Sequence, residues 1–243
     1  MGAEFYREYV GDDAFMAGYT EYQKKYAVTM RESDKRLIAL LRSKIGDERK
    51  TVADIGCSTG NFLMHLKRLC PNFDLVGGEL APKALKLCRA NPQLAGIRFE
   101  EMNVVTLGRT AEFDAVTLNA VLYLFEPAGF DSAIASISRA LRPGGWVIAF
   151  DWFHPWEQEL AIRETSKTHP NGLMIHLRSY SRVRPILARH GFKEPAFEPF
   201  AIPIDLPRPS ELDDMTSYTV GPERLIFRGS LAQPWCFLAA QKA

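Results

Sequence analysis

Five short apolar runs occupy residues 51–151, and their alternation with helical stretches is the feature that most constrains the fold. In chain order the runs read TVADIG, FDLVGGE, GIRFEEM, FDAVTLN and WVIAFD. Apolar residues at helical spacing lie between several of them, and Pro82 suits the first turn of one such helix. Continuous apolar strands joined by helices indicate a parallel sheet buried on both faces. Right-handed crossovers then predict a doubly wound α/β sheet with its ligand beyond the carboxyl ends of the strands.

The flanking segments differ in character from this central region. Before it, apolar residues between Leu37 and Ile45 recur at helical spacing and end at Gly46. After it, the runs AFEPFAIPIDL and ERLIFRGSLAQPWCFLAA suggest an antiparallel pair of strands added to the sheet. We therefore predict a helical N-terminal lid over residues 1–50 and a Rossmann-like domain over 51–243, with an insert at about 152–222.

Composition excludes several classes of protein. The 243 residues carry 30 Lys and Arg against 29 Asp and Glu, so a net charge of +1 favours neither a nucleic-acid partner nor a membrane surface. The four cysteines form no CxxC pair, which predicts free thiols and no metal site. No run approaches the ~18 apolar residues that would span a bilayer. A cytoplasmic protein is the resulting expectation, with its oligomeric state open.

The turn after the first strand, in VADIGCSTGNFL, carries the most specific signal. Gly56 and Gly60 bracket Cys57 and Ser58, and glycine at both positions permits a tight turn and close approach of a ligand to the backbone. The spacing is neither the G-x-G-x-x-G of dinucleotide-binding folds nor a P-loop. Asp54 stands at the strand end, where a carboxylate would repel a pyrophosphate but would suit an ammonium group.

The next two strands also end in polar residues. The second ends at Glu79, and an acid at that place can accept hydrogen bonds from both hydroxyls of a ribose. The third ends at Met102 and Asn103, where an amide and an apolar neighbour suit the edge of an adenine. An amino acid, a ribose and an adenine, in strand order, describe S-adenosylmethionine.

Residues 52–151 resemble a class I S-adenosylmethionine-dependent methyltransferase of the Rossmann-like, small-molecule type. The matching pieces are VADIGCSTGNF, VGGEL, EEMNVV, FDAVTLNAVLYLF and ISRALRPGGWVIAFD, in the family's order and spacing. Ser58 stands where the family often has Gly, and Asn103 where Asp is common. The resemblance implies a mostly parallel seven-stranded sheet whose terminal strand is antiparallel.

The resemblance also implies roles for matched positions. Asp54, Gly56 and Gly60, with the intervening Cys57 and Ser58, would hold the amino-acid part of the cofactor. Glu79 would hold the ribose beside Leu80, while Asn103 and Val104 would contact the adenine. Asn119 would lie near the sulfonium, although it could equally cap the strand end.

The methyl acceptor is expected between the N-terminal zone and the segments after the fourth and fifth strands. His154 is the candidate general base, since its ordinary pKa suits neutral pH, with a structural histidine as the alternative. Tyr22, Tyr26 and Tyr123 offer aromatic faces to a cation or an amine. Arg31 is either a partner for the cofactor carboxylate or the solvated end of a helix. Two or more of Arg178, Arg224 and Arg228 would suit an anionic acceptor if they lie near the pocket, and they could equally be surface charges.

Three functions fit the sequence. The first is methyl transfer to a small-molecule acceptor in secondary or specialised metabolism. The second is an RNA or protein methyltransferase, which would want a basic stripe or an added domain. The third is a non-catalytic protein that binds S-adenosylmethionine. The chemistry of the acceptor atom, whether oxygen, nitrogen or carbon, stays open.

Overall fold

Two helices precede the sheet in the computed structural model, which describes residues 13–165, 172–208, 210, 218–221, 223–226 and 231–243. Helix α1 spans Asp13–Val28 and helix α2 spans Glu32–Ile45. Helix α2 buries the apolar side of its sequence period, including Leu37 and Leu41, against the sheet. Among the described residues no helix combines the length and apolar character needed to cross a membrane.

Seven strands form the main path of the sheet. In chain order they are β1 Thr51–Ile55, β2 Asp74–Glu79, β3 Arg98–Glu101, β4 Phe113–Asn119, β5 Leu141–His154, β8 Ala196–Pro199 and β12 Trp235–Gln241. Across the sheet their order is β3-β2-β1-β4-β5-β12-β8. The first five are parallel to one another, and β12 is antiparallel to both β5 and β8. This arrangement confirms the predicted doubly wound, mostly parallel sheet with an antiparallel strand near its end.

Helices cover both faces of this sheet. The first face is packed by α2 with α3 (Asn61–Leu69) and α4 (Pro82–Ala90), and the second by α5 (Pro127–Ala140) with α6 (Tyr180–Arg189). Short 3-10 turns at Pro92–Leu94, Val104–Thr106 and Leu122–Leu124 complete the connections. Since both faces are buried, polar groups at the carboxyl ends of the strands are the ones free to form a site.

The region after β5 departs from the simple pattern. Strands β6 (Leu160–Glu164) and β7 (Leu173–Ser179) form an antiparallel hairpin, and β7 pairs in parallel with the last two residues of β5. This pairing explains why β5 continues three residues beyond the predicted WVIAFD. The predicted terminal pair is right for β8 and β12. It is wrong for the start of the second run, where β10 (Glu223–Ile226) and β11 (Leu231–Ala232) join β9 (Tyr218–Val220) in a separate antiparallel sheet.

Candidate functional site

The turn between β1 and α3 is strained and held to the neighbouring strand. Gly56 and Gly60 both have a φ of +79°, and Ser58 has a φ of +52°. The amides of Gly56 and Cys57 both donate to the carbonyl of Gly78 on β2. Because a non-glycine residue in this left-handed region costs of order 1 kcal/mol or more, Ser58 is held there by its surroundings.

Gly56 and Gly60 also bring the backbone unusually close to neighbouring side chains. A Cβ added at Gly56 would lie 2.6 Å from Cγ2 of Val121, in the segment after β4. A Cβ added at Gly60 would lie 2.7 Å from Cδ1 of Leu94. The sequence therefore needs glycine at both positions for space as well as for backbone conformation.

Asp54 lies at the carboxyl end of β1 and is almost completely buried, with 2% of its surface exposed. The hydroxyl of Thr117 on β4 donates to its Oδ1 over 2.8 Å. Burial raises the pKa of Asp54 to about 7, the like charges of Asp34 and Glu79 add to the rise, and the Thr117 hydrogen bond partly offsets it. The group is therefore poised near neutral pH and would gain from a cationic neighbour.

Glu79 at the end of β2 is buried and links the glycine turn to the segment that follows β2. Its Oε2 accepts a hydrogen bond from the Ser58 amide over 2.9 Å, which links β2 to the glycine turn. Its Oε1 accepts from the amides of Leu80 and Ala81 over 2.7 and 3.0 Å. The carboxylate thus shapes the ligand-facing edge of the sheet before any ligand binds.

Asp34, a residue that the sequence reasoning missed, lies beside Asn119. It is fully buried in the first turn of α2, and Nδ2 of Asn119 donates to its Oδ1 over 2.9 Å. Burial raises its pKa, and Arg31, whose Nη1 lies 3.8 Å from Oδ2, together with Asn119 offsets part of the rise. Its position could have indicated burial, because Asp34 lies one helical turn before Leu37, on the apolar face of α2. Asn119 thus joins the end of β4 to the start of α2.

The last turns of α1 lie across the start of α3. Nδ2 of Asn61 donates to the carbonyl of Gln23 over 2.8 Å, and Nε2 of His65 lies 2.8 Å from the carbonyl of Tyr26. Arg31 donates to Oε1 of Gln23 over 2.8 Å, and its guanidinium lies 3.8 Å from the centre of the Tyr26 ring. Arg31 is therefore packed between α1 and α2, so the expectation of a solvated helix end is wrong.

Tyr22 and Tyr26 pair with each other. Their hydroxyl oxygens are 3.2 Å apart and their rings meet edge to face at 5.3 Å. Nζ of Lys25 lies 4.1 Å from the Tyr22 ring centre and 4.9 Å from that of Tyr26. Part of the aromatic surface predicted for a ligand thus already faces cations of the protein itself.

The residues predicted to contact the adenine and ribose lie at the expected strand ends. Asn103 follows β3, and its Oδ1 accepts from the Val105 amide over 3.0 Å, so it begins a 3-10 turn. Val104, Leu80 and Cys57 are all buried. Their roles toward a cofactor stay predictions.

His154 is the last residue of β5 and is buried, with 2% of its surface exposed. Its ring lies 5.2 Å from that of Trp156. Burial lowers its pKa, and backbone groups of Leu177 and Trp156 partly offset the fall. The imidazole is therefore neutral at pH 7.

Tyr123, in the 3-10 turn after β4, stacks on Trp152 at 5.4 Å.

Asp151 is a second site residue that the sequence reasoning did not single out. Buried near the end of β5, it fixes the turn after β4 through its carboxylate. The carboxylate accepts hydrogen bonds from the amides of Val121, Leu122, Tyr123 and Trp152, over 2.6 to 3.0 Å. Burial raises the pKa of Asp151 to about 6, while these amides and the charge of Arg178 oppose the rise.

Arg178 serves the same turn and does not face an acceptor. Its guanidinium donates to the carbonyls of Leu122 and Phe125 and lies 4.5 Å from the centre of the Phe130 ring. Burial lowers its pKa to about 10, and the charge of Asp151 partly restores it. The expectation of a surface charge and that of an anion-binding residue are both wrong for Arg178.

Unsatisfied polar groups concentrate at this edge of the sheet. Each such group costs about 1–3 kcal/mol unless a ligand or water pairs with it. All of those found lie at the carboxyl ends of the strands or on the elements that border them. Among the described residues they are Asp34 Oδ2, Thr59 Oγ1, Trp152 Nε1 and both ring nitrogens of His154.

Comparison with known proteins agrees with this geometry. Residues 52–145 match a family model described as a methyltransferase domain. The demethylmenaquinone methyltransferase of Deinococcus radiodurans is 33% identical over 109 residues, which are 44% of this chain and 44% of that protein. A dTDP-3-amino-3,4,6-trideoxy-alpha-D-glucopyranose N,N-dimethyltransferase from Streptomyces venezuelae is 30% identical over 138 residues, 53% of this chain and 56% of that protein. The chain thus spans about half the length of the curated relatives it matches.

A solved structure extends the likeness of fold to almost the whole chain. The 1,6-didemethyltoxoflavin-N1-methyltransferase of Burkholderia thailandensis, solved with its acceptor and S-adenosylhomocysteine, superposes with a TM-score of 0.62 at 16% identity. The superposition covers 96% of this chain and 88% of that one. Residues 52–145 are therefore a methyltransferase domain, and the superposition confirms the predicted class I methyltransferase fold.

Proposed function

We propose that this protein transfers a methyl group from S-adenosylmethionine to a small-molecule acceptor in specialised metabolism. The observation that supports the proposal is the concentration of unsatisfied buried polar atoms at the ligand-binding edge of the sheet. If no ligand bound there, each of these atoms would lower the stability of the fold without a hydrogen bond to compensate.

The residues present fit this cofactor. Asp54 is an acid suited to the ammonium group, and Arg31, whose Nη1 lies 3.8 Å from Oδ2 of Asp34, is a cation suited to the carboxylate. Three backbone amides orient the Glu79 carboxylate at the end of β2, and a carboxylate at that place suits the hydroxyls of a ribose. The glycine turn gives the backbone close approach, with Leu80, Asn103 and Val104 toward the adenine. When bound, the cofactor supplies an electrophilic methyl group.

We place the acceptor beyond Asn119, between the N-terminal lid of residues 1–50 and the insert at about 152–222. The protein's task there is to align the acceptor and exclude water, because methyl transfer from a sulfonium is an in-line displacement. His154 receives the acceptor's proton where one must be lost, and Tyr22, Tyr26 and Tyr123 line the approach.

The names of the relatives support a small-molecule acceptor, since they include quinone, amino-sugar and toxoflavin methyltransferases. An RNA or protein acceptor is the alternative, and so is a role in cofactor binding without catalysis. The four free, buried cysteines suit a reducing compartment, and we propose the cytoplasm.

Calorimetry tests the cofactor assignment directly. S-adenosylmethionine and S-adenosylhomocysteine are expected to bind, and NAD is not expected to bind comparably. The affinity for S-adenosylhomocysteine should rise with pH up to about 7, where Asp54 loses its proton, and then level off. The sign follows because the ammonium group favours the carboxylate, so binding below that pH must expel a proton.

Two variants serve as controls for the pH dependence. Asp54→Asn should flatten it, whereas Asp131→Asn, on the opposite face of the sheet, should leave it intact. Tighter binding of NAD than of S-adenosylhomocysteine would reject the proposed cofactor.

His154→Gln tests the proposed base with two acceptors of matched size. Transfer to the oxygen of 2-naphthol must release a proton, whereas transfer to the nitrogen of isoquinoline releases none. The variant should therefore slow the first reaction about 100-fold and spare the second. Mass spectrometry of the two products measures both rates, and equal slowing of the two would make His154 structural.

A further inference from the structure

We propose that Trp152 and His154 form the acceptor subsite, which takes a flat, uncharged aromatic molecule carrying a carbonyl and a hydroxyl group. This inference rests on the proposed methyl transfer and names the chemical class of its acceptor.

Both residues lie on one face of β5, beyond the cofactor-binding edge. Asn119 is in register with Phe150, and side chains two residues apart on a strand share a face. Trp152 therefore lies roughly 7 Å beyond the level of Asn119, and His154 roughly 13 Å beyond it. The two side chains follow each other along the direction in which the sheet meets its ligand.

Trp152 combines an apolar surround with an unused donor. Its ring stacks on Tyr123 at 5.4 Å and meets Trp235 edge to face at 5.4 Å. Its other neighbours are the aliphatic side chains of β7, including Ile175 and Leu177. Across the described part of the chain its Nε1 finds no acceptor, whereas Nε1 of Trp235 donates to Gln233 over 3.1 Å. A buried indole N–H usually has a partner, so Trp152 points to a missing one.

His154 presents the complementary chemistry. Neither ring nitrogen has a hydrogen-bond partner within the described ranges, although the side chain is nearly fully buried. A neutral imidazole has one donor and one acceptor nitrogen. Three of the five unpartnered buried atoms found in the described residues thus belong to two residues on one strand face.

The class of ligand follows from these groups. An indole N–H only donates, so it needs an acceptor such as a carbonyl oxygen, while the acceptor nitrogen of His154 takes a hydroxyl proton. The rings around Trp152 favour a flat aromatic body. An anionic ligand is disfavoured because Arg178, a nearby buried cation, is already bound to carbonyls of the turn after β4, and burial disfavours a charge of either sign.

Access requires side-chain motion only. Tyr123 covers Trp152 and is half-buried, and Trp156 beside His154 is 61% exposed. The backbone of Tyr123 is fixed by Asp151, so the ring can swing on an anchored main chain. Rotation of such side chains is fast compared with turnover.

The test uses four probes of equal ring size: naphthalene, 2-naphthol, 2-acetylnaphthalene and 6-acetyl-2-naphthol. Equilibrium dialysis measures their affinity for the full chain saturated with S-adenosylhomocysteine. Each polar group should improve the affinity about five-fold, the effect of one hydrogen bond of about 1 kcal/mol. Equal affinity for naphthalene and 6-acetyl-2-naphthol would overturn the proposal.

Trp152→Phe keeps an aromatic ring and removes the donor. It should weaken 2-acetylnaphthalene about five-fold more than it weakens naphthalene, because only the first probe has the carbonyl. Trp146→Phe, the same change nearer the start of β5 and beside Lys44, should alter neither affinity. An unchanged ratio in Trp152→Phe would remove Trp152 from the subsite.

Calorimetry on the same samples separates the two levels of inference. Normal binding of S-adenosylhomocysteine with no discrimination among the probes would overturn the subsite alone. Loss of cofactor binding in the wild-type chain would overturn the proposed function itself. The melting temperature of each variant shows whether it is folded, and the probe series on the wild-type chain depends on no variant.

Discussion

Glu79→Ala is expected to weaken binding of S-adenosylhomocysteine by about 1–3 kcal/mol, roughly 5- to 150-fold. Two effects add. The ribose loses its charged acceptor, and the amides of Ser58, Leu80 and Ala81 lose theirs. The glycine turn is therefore expected to loosen as well, so the melting temperature should fall together with the affinity. Calorimetry and thermal unfolding on the same samples measure both.

Glu79→Gln separates the two effects. A glutamine keeps one acceptor oxygen for the amides of Leu80 and Ala81, but its NH₂ group would face the Ser58 amide, also a donor. Stability should therefore fall less than in the alanine variant, while affinity still drops. Glu101→Ala removes an exposed acid in register with Glu79 on β3 and should leave affinity unchanged. Wild-type affinity in Glu79→Ala would exclude Glu79 from the site.

Asp151→Ala is expected to give the largest loss of stability, about 3–5 kcal/mol. It leaves four amides without an acceptor, two of them buried and two part-buried, and removes the negative charge that faces Arg178. For a chain of this size the melting temperature should fall by about 10 °C. Since the turn after β4 carries Tyr123, transfer to the acceptor should suffer more than cofactor binding.

The pH dependence of the free energy of unfolding, compared between the wild type and Asp151→Asn, tests the role of the Asp151 carboxyl group. Between about pH 4 and 6 the folded protein binds a proton at Asp151 that the unfolded chain does not, because burial raises the folded pKa to about 6. The free energy of unfolding from this group therefore falls as pH rises through that window. Asp151→Asn should make the slope shallower. Asp47→Ala, at an exposed ion pair, should barely change the melting temperature. An Asp151→Ala protein as stable as the wild type would refute the role of the carboxylate.

The alternation of strands and helices, and with it the doubly wound sheet, could be predicted because its signals are local. Apolar runs in β1, β2, β4 and the centre of β5 alternate with amphipathic helices, and the right-handed crossover leaves few topologies. Asp54 and Glu79 could be assigned to a site because parallel strands bring their carboxyl ends to one edge. The spacing of Gly56 and Gly60 also narrowed the class of ligand, because it matches neither the dinucleotide-binding pattern nor a P-loop.

The residues that were missed depend on contacts distant in sequence. Asp34 meets Asn119, 85 residues away, and its position on the apolar face of α2 indicates burial but not this partner. Arg178 and Asp151 act through the turn at residues 121–125, which neither adjoins in sequence. The extension of β5 to His154 depends on β7, a strand that follows a long polar stretch. Such pairings are tertiary contacts. The hydrophobic periodicity of a single sequence predicts helices and strands but not which residues of different elements meet.

The way α1 is fastened has a consequence for how this protein can change. Asn61 and His65 hold it through carbonyl oxygens of Gln23 and Tyr26, which every amino acid possesses. Side chains on the inner surface of α1 can therefore be exchanged while these two attachments persist. Under the proposed function, a new acceptor preference can be selected or engineered by substitutions on α1. The strand ends proposed to bind the cofactor need not change.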